Sequence, residues 1–256
     1  MEPIVFDFGG FALRWYGVMA ALGFLAAVLT VNANRKIIDL SADRAAGIVM
    51  TGMIAGIIGA RIFYVCRFFE HFRNDPWLIL RLDRGGLVFF GGFFFAMLAL
   101  WLYCRYWKLD FIRILDLAGP ALAIGHAFGR VGCFLNGCCF GSPSGRFPGI
   151  AYPAGSEPYH WHGAAPLHPV QLYEAGLNVL LFLFLFWLLR RSRRGVTMSA
   201  YFIGYGVIRF ADEFLRGDPL TRWHGLTQSQ LIGLFLIPAG ALLLVWFQRR
   251  KAAVHD

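Results

Sequence analysis

Residues 125–141 read GHAFGRVGCFLNGCCFG and lie at the mouth of an apolar segment. Within ten residues the stretch carries a guanidinium, Arg130, an amide, Asn136, and three thiols. A guanidinium at the edge of a membrane is costly to desolvate and therefore usually has an anionic partner. Lipid phosphate is the abundant anion of a bilayer, so the stretch predicts a site for an anionic phospholipid.

The composition indicates a membrane protein. Of the 256 residues, 58% are hydrophobic, and the mean hydropathy is +0.57, which is not typical of soluble domains. The net charge of +9 does not indicate nucleic-acid binding, because the basic residues lie in the loops between apolar runs. We predict an all-α integral membrane protein with a single polytopic domain over residues 1–256. Its first span would direct insertion, because no cleavable signal peptide is evident.

Seven apolar runs approach the length of about 20 residues that crosses a bilayer as a helix. They cover roughly residues 13–32, 45–65, 86–104, 112–131, 170–189, 196–215 and 228–247. Basic clusters follow the first, third, fifth and seventh runs, at residues 35–44, 105–113, 190–194 and 249–251. By the positive-inside rule these ends are cytoplasmic, so the N-terminus faces outward and the C-terminus faces inward.

Two segments between the spans are expected on the outer side of the membrane. Residues 66–85 are charged and aromatic, which is typical of an amphipathic arm lying on the headgroups. Residues 132–168 are rich in glycine, proline and histidine and nearly free of lysine and arginine. We predict an exported loop region there, because long loops of this kind often carry function.

Two arginines, Arg130 and Arg209, are the strongest candidates for binding phosphate. Each follows an apolar run and a glycine-containing segment, and a guanidinium offers forked donors that match phosphate oxygens. On composition alone, a structural role explains them equally well. Arg209, for example, can form an ion pair with Asp116, Asp212 or Glu213.

The sequence after Gly204 predicts a polar stripe on one helix face. Helical spacing aligns five side chains there: Tyr205, Arg209, Asp212, Glu213 and Arg216. Such a stripe usually faces a bundle interior or a water-filled cavity. The segment HPVQLYE at 168–174 adds candidates for the same chamber: His168, Gln171 and Glu174. The glycine pairs at 85–86 and 91–92 favour close helix packing.

The five cysteines are unevenly distributed. Cys66 and Cys104 stand alone, whereas Cys133, Cys138 and Cys139 are clustered. The clustered spacing matches no standard zinc or iron–sulfur pattern, and histidines at zinc-finger spacing are missing. Three roles stay open for the cluster: packing as small apolar side chains, a disulfide between Cys133 and a neighbour, or a thiolate whose reactivity Arg130 promotes.

Six short sequence motifs resemble those of the bacterial phosphatidylglycerol–prolipoprotein diacylglyceryl transferase family, and they occur in the same order. They are RWYG at 14–17, the glycine-flanked segment 85–92, the stretch 129–137, HPVQLYE at 168–174, residues 204–216 and LTQSQ at 226–230. The resemblance implies a seven-span helical body in the bacterial inner membrane, with its active side exported.

The resemblance also implies a reaction. Members of the family transfer a diacylglyceryl group from phosphatidylglycerol to the thiol of a lipobox cysteine in an exported precursor, forming a thioether and releasing glycerol phosphate. Arg130 and Arg209 match the family's essential arginines, Tyr16 and Tyr205 match its polar aromatic positions, and Glu213 completes the expected catalytic set. The expected substrate-binding set comprises Asn136, Arg216, His168, Gln171, Glu174, Cys133 and Cys138. No metal or cofactor is implied.

Three positions depart from the family pattern. Phe90 stands where the family has a histidine proposed as the base, and Cys133 and Cys138 replace an asparagine and an acidic residue. Thiol deprotonation then needs no dedicated base, or it uses one of three other side chains: His126, His168 or Glu174. The departures also allow a different acceptor, or a non-catalytic phospholipid-binding or transport protein. A thiol–disulfide redox protein is disfavoured because the Cys-x-x-Cys pair is missing.

Overall fold

The computed structural model describes residues 4–8, 11–81, 85–145 and 148–252, most of which are helical. The helices in this part of the chain are α1 (Trp15–Asn34), α2 (Ala42–Arg67), α3 (Phe69–Phe72), α4 (Phe89–Tyr106), α5 (Phe111–Asn136), α6 (Glu157–His162), α7 (Val170–Leu189), α8 (Val196–Asp212) and α9 (Gln228–Ala252). Two short antiparallel pairs of strands accompany them: β1 (Ile4–Phe8) with β2 (Phe11–Arg14), and β3 (Arg222–Trp223) with β4 (Leu226–Thr227).

Six helices of the described chain are long and apolar enough to cross a membrane: α1, α2, α4, α5, α7 and α9. A multi-pass helical membrane protein is therefore confirmed. The predicted span at 196–215 corresponds to α8, which has 17 residues and ends at Asp212. At 1.5 Å per residue α8 is about 26 Å long, and it carries polar side chains, so length and hydropathy do not identify it as a span.

The outer surface of the helices is more apolar than that of a soluble protein. Large apolar side chains cover the outside, including Phe235 and Leu242, which are 72% and 71% exposed. Gln171 and Asn178, in contrast, are fully buried. Lipid tails solvate the apolar exterior, whereas polar groups in a membrane bundle are stabilised by partners in its interior.

Close helix packing depends on glycine at several crossings. A Cβ atom on Gly92 of α4 would lie 2.9 Å from the carbonyl oxygen of Gly56 on α2, and one on Gly233 of α9 would lie 2.8 Å from that of Gly206 on α8. Small residues let helix backbones approach in this way. The packing role expected for the glycines at 91–92 is therefore confirmed.

Helix α5 is longer than the sequence indicated. The span was expected at 112–131 and the exported loop from residue 132, but the helix continues to Asn136. It ends at Gly137, whose φ of 73° is a left-handed conformation that glycine adopts without steric cost. The expectation of a loop is therefore wrong for residues 132–136, which form the last turn of the helix.

The segment after α2 is held in place by Arg61. The described residues form α3 and a 3-10 turn at Pro76–Leu80, and residues 82–84, which include Asp83 and Arg84, lie outside the described part. The Arg61 guanidinium is buried and donates to five backbone carbonyls at 2.5–3.1 Å: those of Leu78, Ile79, Arg81, Gly85 and Gly86. One side chain on α2 therefore fixes a loop of the chain that has little regular structure.

Replacing Arg61 with alanine is expected to release this loop. The carbonyls would lose charge-assisted bonds that each contribute about 1.5–3 kcal/mol, so amide exchange at residues 76–88 should accelerate by about tenfold or more. Hydrogen–deuterium exchange with mass spectrometry measures this directly. Arg67→Ala, at an exposed position on the same helix, is the matched control, and equal exchange in both variants would contradict the assignment.

The start of α8 is capped by a residue from another helix. Gly195, the N-cap of α8, makes no side-chain cap. Asp116 of α5 is buried and accepts hydrogen bonds from the backbone N–H groups of Gly195 at 2.6 Å and Met198 at 3.0 Å. A carboxylate at a helix N-terminus satisfies orphan donors and complements the helix dipole. Asp116 therefore joins α5 to α8 and is not the partner of Arg209.

Asp116→Ala is expected to lower the free energy of unfolding by about 2–4 kcal/mol, because it removes this cap and leaves buried N–H groups unpaired. Denaturation of the purified protein in detergent, followed by circular dichroism, measures the change. Asp43→Ala removes an exposed carboxylate from the first turn of α2 and should cost far less. Similar losses in the two variants would show that Asp116 does not act as a cap.

Candidate active site

A single buried carboxylate joins the two predicted phosphate-binding arginines. Glu174 of α7 is 1% exposed, and its Oε2 atom lies 2.8 Å from Nε of Arg130 and 3.0 Å from Nη1 of Arg209. The two guanidinium groups come from α5 and α8, so three helices meet at one oxygen atom. Oppositely charged groups buried this way depend on each other, because a lone buried charge is strongly destabilising.

Arg209 is fully engaged by its neighbours. Besides Glu174, it contacts Asp212 and Glu213, each at 3.4 Å, and Nη2 donates to Oγ of Ser229 at 2.5 Å. The ion pair with Asp212 and Glu213 that the sequence allowed is therefore present. Arg209 is therefore the centre of a buried polar network with partners on α7, on α8 and the turn that follows it, and on α9.

Arg130 is engaged on only one side. Its Nε atom pairs with Glu174, whereas its two Nη atoms have no partner among the described residues. Its side chain is 16% exposed, compared with 9% for Arg209. Arg130 therefore keeps forked donors free for an anion while its position is fixed by a buried carboxylate.

Arg216 lies just beyond α8 and has its own partner. Its Nε donates to Asp218 Oδ1 at 2.7 Å and its Nη2 to Oδ2 at 2.5 Å, a forked pair. The next residue, Gly217, donates its N–H to the carbonyl of Phe140 at 3.0 Å. Arg216 is therefore attached to the segment that follows the end of α5.

The segment after α5 is bound to α7 by Gln171. The fully buried Gln171 donates through Nε2 to the carbonyl of Cys138 at 2.8 Å and to the hydroxyl of Tyr152 at 3.3 Å. A Cβ atom on Gly141 would lie 2.6 Å from Cγ2 of Val170, so only glycine permits this approach. Gln171 therefore fixes the segment after α5 to α7. His168 contacts Tyr173, and its Nδ1 atom lies 3.4 Å from the Tyr173 hydroxyl.

Three thiols come together at this segment. The Sγ atoms of Cys133, Cys138 and Cys139 all lie within 4.8 Å of one another, and each residue is half-buried; we refer to these residues as the three-thiol cluster. Hydrogen bonds with the Cys133 and Cys138 thiols, together with the positive charges of Arg216 and Arg130, lower the pKa of Cys139 against the opposing effect of burial. All three are free thiols in the structure.

The aromatic candidates lie on both sides of α5. Tyr16 is 48% exposed, and a Cβ atom on Gly132 would lie 3.3 Å from its ring. Tyr205 stacks on His126 at 4.5 Å and on Tyr201 at 5.6 Å between ring centroids. Tyr16 therefore borders the three-thiol cluster, whereas Tyr205 lies among the aromatic rings between α5 and α8.

Phe90 lies in the first turn of α4, a helix that packs mainly on α2. It is 50% exposed and contacts the ring of Phe89 edge-on at 5.8 Å. Nothing in its side chain can accept a proton.

The segment LTQSQ at 226–230 has a structural explanation. The backbone N–H of Thr227 donates to the Gln230 side chain at 3.0 Å, and the N–H of Gln230 donates to the Thr227 hydroxyl at 3.3 Å. This reciprocal capping box starts α9 and places Ser229 against Arg209. The roles of Ser229, Asp218 and Arg61 could not be predicted from the sequence, because no local spacing marks their partners.

Comparison with known proteins gives one result over nearly the whole chain. A family model described as prolipoprotein diacylglyceryl transferase matches residues 3–246. The phosphatidylglycerol–prolipoprotein diacylglyceryl transferase of Clostridium tetani is 35% identical over 242 residues, which is 94% of this chain and 95% of the relative. The enzyme of the same name from Pseudoalteromonas atlantica is 31% identical over 261 residues, or 98% and 91% of the two chains. The chain therefore belongs to the prolipoprotein diacylglyceryl transferase family.

Proposed function

We propose that this chain transfers the diacylglyceryl group of phosphatidylglycerol to the cysteine thiol of an exported prolipoprotein at the bacterial inner membrane. The names of its relatives support the activity. The observation that carries it is the state of Arg130, which is fixed through Nε and has both Nη atoms free among the described contacts. Two parallel donors on a positioned guanidinium suit two oxygens of a lipid phosphate.

The chemistry is a displacement at carbon. The acceptor sulfur attacks the diacylglyceryl carbon that is bound to phosphate, a C–S bond forms, and the C–O bond breaks with its electron pair leaving on glycerol phosphate. Negative charge develops on the leaving phosphate, and the positive charge of Arg130 stabilises it. Holding the donor so that this carbon faces the thiol supplies the remaining advantage.

Arg209 and Glu213 act as positioning residues in this proposal. Arg209 is surrounded by carboxylates and Ser229, so its donors are occupied. It neutralises Glu174, and Glu174 in turn holds Arg130. Gln171 holds the segment after α5 through the Cys138 carbonyl.

The remaining predicted residues are proposed to line the donor and acceptor channel. Tyr16 borders Gly132 at the end of α5, close to Asn136, Cys133 and Cys138. Arg216 is attached to the following segment by the Gly217–Phe140 hydrogen bond. His168, which contacts the Tyr173 hydroxyl, and Tyr205, which stacks on His126, would contribute further polar groups.

For the topology we propose seven spans, with α8 as the short sixth one, in a single domain over residues 1–256. The N-terminus is then periplasmic and the C-terminus cytoplasmic, and the segment 66–85 forms an outer arm. The basic residues 190–194 between α7 and α8 support this orientation. Labelling of single cysteines placed at the two termini with a membrane-impermeant maleimide in intact cells tests it, and labelling of a C-terminal cysteine would reverse the assignment.

The alternative, a non-catalytic phospholipid-binding protein, rests on Phe90. The buried network of Arg130, Glu174, Arg209 and Glu213 argues against it. Buried charges carry a large desolvation cost, and lipid binding alone does not require them. A different acceptor remains the second candidate, since Cys133 and Cys138 replace two polar residues of the family.

Mass spectrometry of the reaction products tests the proposed function. Purified protein would be incubated with phosphatidylglycerol and a lipobox peptide, and with a peptide in which alanine replaces the cysteine. A cysteine peptide heavier by one diacylglyceryl group, with release of glycerol phosphate, is the expected result. Consumption of phosphatidylglycerol in membranes without peptide modification would identify another acceptor, and no turnover in either setting would reject the transferase.

A further inference from the structure

The three-thiol cluster is unusual in both composition and backbone geometry. Its sulfur atoms lie within 4.8 Å of one another although the residues span the end of α5 and the segment beyond it. Cys139 has a φ of 59°, a left-handed conformation that costs a non-glycine residue of order 1 kcal/mol or more. The chain therefore accepts backbone strain at the residue that brings the third sulfur to the other two.

We propose that the three-thiol cluster is a zinc site whose fourth coordination position takes the sulfur of the acceptor cysteine. This rests on the proposed function, and it supplies the acceptor activation that Phe90 cannot provide. Catalytic zinc sites use three protein ligands and keep one position open. Thiolate ligands select zinc or monovalent copper among the common metals.

The geometry fits a tetrahedral metal. Sulfur atoms bound to zinc at about 2.3 Å stand about 3.8 Å apart, so a cluster within 4.8 Å needs to contract by about 1 Å at most. All three residues are half-buried rather than enclosed in the core, which leaves an approach for a fourth ligand. Tyr16 beside Gly132 is itself half-exposed, so this end of α5 is open to a partner.

The charges near the cluster also fit. Three thiolates and one Zn²⁺ carry a net charge of −1, which is costly in an apolar setting unless it is balanced. Arg130 lies about one helical turn before Cys133 on α5, and the backbone of Arg216 pairs with that of Gly141, two residues after Cys139. The same two cations that would repel a bare metal ion therefore stabilise the anionic metal–thiolate group.

The proposed step needs no general base to deprotonate the acceptor thiol. Coordination of the acceptor sulfur to zinc releases its proton to solvent, because a coordinated thiol is deprotonated. The bound thiolate attacks the diacylglyceryl carbon, the C–S bond forms, and the electron pair of the broken C–O bond leaves on glycerol phosphate held by Arg130. The product sulfur is a neutral thioether, a weaker ligand than a thiolate, so it dissociates and reopens the position.

Metal binding is tested first, independently of turnover. The full-length protein in detergent would be reduced, stripped with a chelator and titrated with Co²⁺ as a spectroscopic substitute for zinc, and Zn²⁺ content would be measured by elemental analysis. About one tightly bound metal per chain is expected, with thiolate-to-cobalt charge-transfer absorption. Cys139→Ser should lose both signals. Cys66→Ser, which changes an exposed cysteine on α2, should keep them.

The acceptor is tested on the same cobalt form. A lipobox peptide should shift the thiolate-to-cobalt absorption toward that of a site with four thiolate ligands. The same peptide with alanine in place of cysteine should leave the absorption unchanged. Chelation of the wild-type protein should lower transfer by about 10²-fold, the usual contribution of a dedicated base, and added Zn²⁺ should restore it. The peptide and chelation experiments use the wild-type protein, so their results do not depend on whether a cysteine variant folds.

The outcomes separate this proposal from the transferase assignment. Reduced wild-type protein that binds no metal overturns the zinc site, whatever its transfer rate. A disulfide among the three sulfurs in protein isolated without reductant overturns it as well. Bound metal with an unchanged transfer rate after chelation overturns the activating role. Metal and peptide binding without any transfer from phosphatidylglycerol would leave the thiol-binding zinc site standing and reject the proposed function.

Discussion

Arg130→Ala is expected to lower the transfer rate by about 10²–10³-fold, the usual cost of removing one group that stabilises charge in a transition state. The loss arises because the two free Nη donors of Arg130 are the proposed contacts of the leaving phosphate. The protein should stay folded, since Glu174 keeps its second partner, Arg209, at 3.0 Å. Initial rates of peptide modification, compared with thermal unfolding in detergent, measure the two effects separately.

Two further variants sharpen this result. Arg130→Lys keeps the positive charge but loses the forked donors, so it should recover only part of the rate. Arg105→Ala removes an exposed arginine at the end of α4 and should leave the rate near that of the wild type. A fully active Arg130→Ala protein would refute the phosphate contact.

Arg209→Ala should instead lower the free energy of unfolding by about 3–5 kcal/mol. Removing this guanidinium takes a partner from three buried carboxylates at once: those of Glu174, Asp212 and Glu213. Denaturation in detergent measures the loss. Arg191→Ala, which removes an exposed side chain lying over Trp187, is the matched control and should cost little.

A second substitution distinguishes positioning from direct phosphate contact. Asp212→Asn added to Arg209→Ala removes a carboxylate whose ion pair among the described residues is with Arg209, so it should recover part of the stability if Arg209 acts through the carboxylates. An Arg209→Ala protein that is as stable as the wild type but inactive would mean that Arg209 touches the phosphate itself.

Much of the site could be predicted from residue types and spacing. The cost of a cation in a membrane indicated that Arg130 and Arg209 need anionic partners. The predicted polar stripe is α-helical only as far as Asp212, because α8 ends there and Arg216 lies beyond it in extended backbone. The shared partner could not be predicted, because nothing local indicates that Glu174, 44 residues after Arg130 in sequence, would accept both guanidinium groups. Long-range partners of this kind depend on how helices pack.

The same limit applies to the fold and to the cysteines. Hydropathy predicted seven spans, of which six correspond to helices long and apolar enough to cross a membrane, but it could not indicate that Asp116 caps α8 from another helix. The spacing of Cys133, Cys138 and Cys139 matched no metal pattern, because their proximity depends on the left-handed backbone at Gly137 and Cys139. Residue spacing does not predict backbone conformations that depend on tertiary packing.

If α8 is the sixth span, as proposed, its short length has a consequence for the bilayer itself. At about 26 Å it falls short of a hydrocarbon core of about 30 Å, and its far end carries Arg209 and Asp212 rather than apolar side chains. Hydrophobic mismatch of this kind is relieved by local thinning of the membrane. In the proposed seven-span topology this thinning is expected where α8 packs on α5, so the headgroup of the donor would lie closer to the depth of Arg130 in the membrane.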